Sequence, residues 1–255
     1  MSRSSSLRIA LVPDLGQPLD AHWVRLTAAE REQVRVLPTE NRRRQYVFGR
    51  LAAHQAIRQL VEPRTVVSFI EILSESERAP RASVNGITDW VSISISHSNR
   101  LAVACAWLAH SKTLVSAGVD LEHLRPNGVA ENMYAFSRAE RESLLRSPEG
   151  PEIAALAAWT AKEAVWKALL AGQEVGPNAI EVEAQSLKKG RAIVKVKGPL
   201  LQRLGDSRLD VQSKRIEGPG GEYVLSLAWV TAPKSSHLLS RKDSLFALNG
   251  GLEIT

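Results

Sequence analysis

Between Leu156 and Ala171 the chain reads Leu-Ala-Ala-Trp-Thr-Ala-Lys-Glu-Ala-Val-Trp-Lys-Ala-Leu-Leu-Ala, a run of helix formers free of Pro and Gly that stops at Gly172. Apolar residues occupy almost every side of that helix, so whatever else the chain builds must bury it. Three charges interrupt it: Lys162, Glu163 and Lys167. Charges on a buried helix need partners, and a bound ligand is one way to supply them. A Glu163–Lys167 ion pair, four residues apart in the favourable order, is another; on an exposed face it is worth only about 0.2–0.5 kcal/mol.

The 255 residues, 44% hydrophobic and 24% charged, suit one large globular domain or two smaller ones, and the composition excludes wholesale disorder. One cysteine, Cys105, sits in the apolar run Leu101–Leu108. It cannot form an internal disulfide, and a buried thiol in a reducing cytoplasm is expected. The N-terminus lacks the apolar core of a signal peptide, and no segment approaches the ~20 apolar residues of a membrane span, so a cytoplasmic protein without membrane partners is expected. The net charge of +6 favours acidic partners. Arginines cluster in Asn41-Arg-Arg-Arg-Gln-Tyr-Val-Phe-Gly-Arg50, where a solvated helix face is the plainer account and a phosphate site the alternative.

Along the chain, Leu7–Val12 reads as a strand, and Thr27 with Glu30 forms a capping box opening a helix to about Val36. A long helix follows over Glu40–Val61, then a strand over Val66–Leu73 and a polar loop from Ser74 to Gly86. Val91-Ser-Ile-Ser-Ile-Ser96 alternates at period two; His97–Arg100 is its turn and Leu101–Leu108 the returning strand. A second half opens with a strand over Leu114–Glu122, continues with helical signals from Asn132 to Leu145 and a capping box at Ser137 and Glu140, and then reaches the central helix. Strands are expected at 179–183, 192–196, 209–214 and 223–230. The order is α+β, with lobes at 1–110 and 111–231 and a tail at 232–255. Identity between the halves is too weak to establish a duplication.

In Gly118-Val-Asp-Leu-Glu122, strand alternation projects Asp120 and Glu122 from one face. Two carboxylates side by side repel unless a cation sits between them. With Glu163 as a third oxygen donor they suit Mg²⁺, which takes hard oxygens and keeps several waters. An edge strand with solvated acids is the plainer account, although Gly118 and Asp120 are poor β formers.

Three blocks in order, Ser94-Ile-Ser-His-Ser98, Gly118-Val-Asp-Leu-Glu122 and Trp159-Thr-Ala-Lys-Glu-Ala-Val-Trp-Lys167, resemble the signature of the 4′-phosphopantetheinyl transferases, in particular the long Sfp-type class. The resemblance implies a pseudo-dimer of two similar α+β lobes with coenzyme A in the cleft between them. It implies Mg²⁺ held by Asp120, Glu122 and Glu163, and coenzyme A phosphates neutralised by Lys162 and Lys167. It further implies that Ser96 and His97 contact the 3′-phosphate, with Arg44 and Arg50 as additional phosphate ligands. Where the family shows Gly-Lys-Pro, this chain has Arg78-Ala-Pro80, so Arg78 or Arg81 would stand for the lysine.

The implied reaction is transfer of the 4′-phosphopantetheine arm of coenzyme A to a serine of an acidic apo acyl or peptidyl carrier protein, releasing 3′,5′-adenosine bisphosphate. Glu163 would be the base and Lys167 would steady the leaving phosphate. A monomer is implied, since one chain already builds the cleft. A Mg²⁺-dependent hydrolase of a nucleotide pyrophosphate would use the same acids. A non-catalytic nucleic-acid-binding protein would use the basic helix, but no zinc finger, RNA-recognition signature or aromatic platform supports it, with aromatics at 5%.

Overall fold

The computed structural model describes residues 7–62, 65–74, 79–125, 130–170 and 175–233. The first lobe runs β1 (Leu7–Pro13), α1 (Asp20–Trp23), α2 (Ala28–Arg35), α3 (Glu40–Val61), β2 (Ile70–Leu73), β3 (Arg81–Val84), β4 (Val91–Ser98) and β5 (Leu101–Leu108). The second runs β6 (Leu114–His123), α4 (Arg138–Leu145), α5 (Pro151–Leu170), β7 (Ile180–Ser186), β8 (Arg191–Val196), α6 (Pro199–Leu204), β9 (Arg208–Gly218) and β10 (Gly221–Thr231). This is the α+β architecture in two similar lobes that the sequence led us to expect.

The sheets share one plan. In the second lobe the order is β6-β10-β9-β8-β7; in the first it is β1-β5-β4, with β2-β3 as a separate pair. In both, the first strand of the lobe lies against the last. A long helix covers the outer face of each sheet: α3 packs Leu51, Ile57 and Leu60 with Ala102, Ala104 and Ala106 of β5. Likewise α5 packs Ala161, Ala164 and Val165 with Ala228 and Val230 of β10. The alternate residues meet between the sheets, where Leu101, Val103 and Cys105 face Val119, Leu121, Leu225 and Leu227. Each fully buried Leu or Val there contributes roughly 1.5–3 kcal/mol, so the lobe junction is a core. Burial pushes the Cys105 thiol up to about 12, consistent with the buried thiol expected.

A repeated device proves the likeness of the lobes. Thr27 caps α2 and Ser137 caps α4, each in a capping box closed by a buried glutamate, Glu30 or Glu140. The second oxygen of Glu30 accepts from the backbone of Ile72 on β2 at 2.9 Å; that of Glu140 accepts from Val182 on β7 at 2.9 Å. A cationic or basic side chain from the long helix completes each cluster: His54 for Glu30 and Lys162 for Glu140. Arg31 donates back to Leu26 and Arg141 to Phe136. Ala29-Glu-Arg-Glu32 recurs as Ala139-Glu-Arg-Glu142, 110 residues later.

Several elements differ from expectation. β3 lies where a polar loop was expected, and only Ile70–Leu73 of the 66–73 segment is strand. His97 belongs to β4; the turn is Asn99 and Arg100, with Asn99 at φ 50°. α5 starts at Pro151, ahead of the run that opens at Leu156, because proline suits a first helical position. Residues 234–255, read as a tail, lie outside the described residues. Among the described residues no helix is long and apolar enough to cross a membrane.

Candidate active site

Gly118 sets the site. A Cβ there would stand 2.2 Å from the carbonyl oxygen of Ala164 and 2.5 Å from the amide of Ala168. The α5 backbone therefore rests directly on β6, which accounts for a glycine in an otherwise Val- and Leu-rich strand. One residue further along the same face comes Asp120, buried at 4% exposure, and then Glu122. From α5, Lys167 Nζ reaches Asp120 Oδ1 at 2.6 Å and the Val119 carbonyl at 3.3 Å. The i,i+4 pair of Glu163 with Lys167 does not form; the lysine turns to the strand instead.

The opposite wall is β4. Ser96 Oγ donates to Asp120 Oδ1 at 2.8 Å, and Ser98 Oγ donates to Glu122 Oε2 at 2.9 Å. The same hydroxyls, with that of Ser94, accept from the backbone amides of Val119, Leu121 and His123 at 3.2, 3.3 and 3.0 Å. The serine face of the period-two strand is thus a joint between lobes.

Too little positive charge faces these acids. Burial, and after it the charge of Asp120, pushes Glu122 up to about 7. The same two causes raise Glu163, which Lys167 only partly offsets. Asp120 Oδ2 is buried without a hydrogen-bond partner. An orphaned carboxylate oxygen beside two carboxylates reluctant to ionise fits a divalent cation. Among the described residues no three His, Cys, Asp or Glu side chains close into a metal cage. Mg²⁺ needs none, since it is held through one or two carboxylates while water and substrate oxygens fill the rest.

The cations expected on the phosphates are distributed differently. Lys162 is 1% exposed; its ammonium donates to the Ala135 carbonyl at 2.6 Å and pairs with Glu140 at 2.9 Å. It holds α4 to α5 with its charge taken up by Glu140, and it also lines the pocket beside Glu163. Arg50 is likewise buried, donating to the Ile72 carbonyl at 3.0 Å and Ser74 Oγ at 2.6 Å over the Tyr46 ring. Arg44 is paired with Asp14 and donates to the Gln17 carbonyl at 3.0 Å. Ser96 is committed to Asp120, and His97 lies on the other face of β4: Ser96 pairs with Val103, His97 with Ala102. Burial, then the charges of Lys167 and Arg42, hold His97 below the usual imidazole value. Arg78 lies outside the described residues, while Arg81 is exposed at the start of β3.

Two cavities flank Trp166 of α5, one reaching Lys167 and the other Glu163. A cleft of about 1030 Å³ between the lobes is lined by Pro80, Arg81 and His110 from the first and by Trp166, Lys167 and Arg203 from the second. Neither His110 nor Arg203 carried a signal in the sequence, since both belong to no motif and reach the cleft by the fold alone. A smaller pocket of about 330 Å³ lies on the other flank of Trp166, lined by Tyr134, Trp159 and Glu163.

Residues 116–228 match the sequence model of the 4′-phosphopantetheinyl transferase superfamily, a span that contains β6, its two acids and the whole of α5. Among solved structures, the acyl carrier protein synthase of Mycobacterium tuberculosis is 27% identical over 47% of this chain and 99% of its own, with a TM-score of 0.36. An ACPS–CoA complex from Chronobacterium ammoniagenes is 26% identical over 46% of this chain and 96% of its own, with a TM-score of 0.33. No curated protein matches the chain.

Proposed function

We propose that this chain transfers the 4′-phosphopantetheine arm of coenzyme A to a serine hydroxyl of an apo acyl or peptidyl carrier protein, releasing 3′,5′-adenosine bisphosphate. The observation that carries the reading is the convergence of Asp120, Glu122, Glu163 and Lys167 within the span that matches the transferase superfamily. The lobes of this transferase would span 1–110 and 111–231, with coenzyme A in the 1030 Å³ cleft between them. Arg81, Lys167 and Arg203 line that cleft and supply charge for its phosphates.

Asp120, Glu122 and Glu163 would hold Mg²⁺, which when bound screens the pyrophosphate charge and orients it for in-line displacement. Glu163 accepts the proton of the carrier serine, directly or through one water. Burial, and after it the charge of Asp120, raises its affinity for protons. Lys167, now on Asp120, neutralises charge on the departing phosphate. The serine oxygen forms a bond to the β-phosphorus while the bond from that phosphorus to the bridging oxygen breaks, and the oxygen leaves with the electron pair on the α-phosphate of the nucleotide. The net charge of +6 favours an acidic carrier by steering.

The test is intact mass spectrometry of apo carrier proteins after incubation with this protein, coenzyme A and Mg²⁺, with an EDTA control. A gain of one phosphopantetheine arm, abolished by EDTA, is expected. Coenzyme A consumed without any gain on the carrier would instead point to hydrolysis.

A further inference from the structure

The three β4 serines are not equivalent. All three accept from β6 amides, so each contributes one rung to the joint between lobes. Ser96 and Ser98 also donate, to Asp120 and Glu122 respectively. Ser94 stands opposite Gly118, which offers no carboxylate. Ser94, Ser96 and Ser98 are 7%, 8% and 7% exposed, too buried for water to substitute for these bonds.

From this geometry we infer that Ser96 and Ser98 are positioning residues, by which the first lobe sets the carboxylates of the second for metal binding. The inference rests on the proposal that those carboxylates hold Mg²⁺. One hydroxyl bond fixes one oxygen of Asp120 and leaves Oδ2 unpartnered; a second fixes one oxygen of Glu122. A carboxylate fixed in this way loses less freedom when a cation arrives, and partners of this kind typically govern metal affinity by about 10–100-fold. Ser96 acts here through Asp120 and not through the nucleotide. Ser94 is a built-in control, because it shares the burial and the amide rung but has no acid to hold.

The experiment compares Ser94→Ala, Ser96→Ala and Ser98→Ala with the parent chain in the presence of coenzyme A, reading Mn²⁺ affinity by electron paramagnetic resonance. Ser96→Thr and Ser98→Thr, which keep the hydroxyl, serve as rescue variants, and a thermal melt reports on the joint. All three alanine variants should melt at similarly lowered temperatures. Mn²⁺ affinity should fall about 10–100-fold in Ser96→Ala and Ser98→Ala, recover in the threonine variants, and stay near the parent value in Ser94→Ala. Equal Mn²⁺ affinity across the alanine variants, or an equal loss in Ser94→Ala, overturns the inference. If an alanine variant fails to fold, the threonine variant at that position decides, since only retained Mn²⁺ affinity there agrees with a hydroxyl that positions the acid. No Mn²⁺ uptake by the parent chain would instead remove the metal reading of the acids, and this inference with it.

Discussion

Adding one methyl group at Gly118 should separate the two halves of the site. The new Cβ would lie 2.2 Å from the Ala164 carbonyl oxygen, 2.5 Å from the Ala168 amide and 3.0 Å from the Lys167 carbonyl carbon. All three are backbone atoms, so no side chain can swing aside. Ordinary contact begins at 3.4 Å, and α5 must therefore withdraw from β6 by about 1 Å. Overpacking of this kind typically costs about 1–3 kcal/mol, and a backbone clash falls at the upper end. For a chain of this size that lowers the melting temperature by about 6–12 °C. The shift also carries Lys167 off Asp120, now at 2.6 Å, and moves Glu163 with it. Misplacement by 1 Å can cost about 100-fold in rate, so carrier modification by folded Gly118→Ala should fall by about that factor. The assays are differential scanning calorimetry and the mass-spectrometric transfer assay. A variant that melts with the parent chain and transfers at the same rate would refute the close approach.

Glu163→Ala should keep the parent circular-dichroism spectrum while transfer falls by at least about 100-fold; parent-like turnover would remove Glu163 from the site. Lys162→Met should leave Glu140 buried and uncompensated, costing about 3–5 kcal/mol in urea unfolding. Intact stability with a loss confined to coenzyme A affinity would instead return Lys162 to the phosphates. Burial raises the Glu140 carboxyl, but bonds from Val182, Lys162 and Ser137 outweigh it and leave the group below its usual 4.5. Its contribution is therefore complete above pH 4.5 and lost as pH falls through the lower folded value. Glu140→Gln, followed by acid titration of ellipticity, should flatten that limb; an unchanged acid limb would exclude the group.

The acids and the central helix were legible because local chemistry decides them. Alternation put Asp120 and Glu122 on one face, and the poor β propensity of Gly118 marked a position held by something other than propensity, which the structure shows to be contact with the α5 backbone. Apolar residues at helical spacing placed α3 over Glu40–Val61 as observed. What could not be read was which partner each charge takes. Arg44, Arg50 and Lys162 looked alike as free cations, yet their partners, Asp14, the β2 backbone and Glu140, come from distant segments. β3 escaped notice for the same reason: Arg81-Ala-Ser-Val84 is a strand only because β2 pairs with it.

Pairing between lobes also explains why two similar lobes yield one such site. The lobes retain the same buried glutamate device, and each places its first strand against its last. Their strand sequences, however, have diverged. β1, the counterpart of β6, reads Leu-Arg-Ile-Ala-Leu-Val-Pro and carries no carboxylate. β9, the counterpart of β4, reads Arg-Leu-Asp-Val-Gln-Ser-Lys-Arg-Ile-Glu-Gly and lacks the serine alternation. Carboxylates on β6 require donors opposite them to remain buried, and β4 supplies those donors. Serine on β4 likewise has a use for its donated proton only where β6 offers an acid. The two changes support each other across a single junction, and Ser94 facing Gly118 marks where that mutual support ends and the helix contact begins.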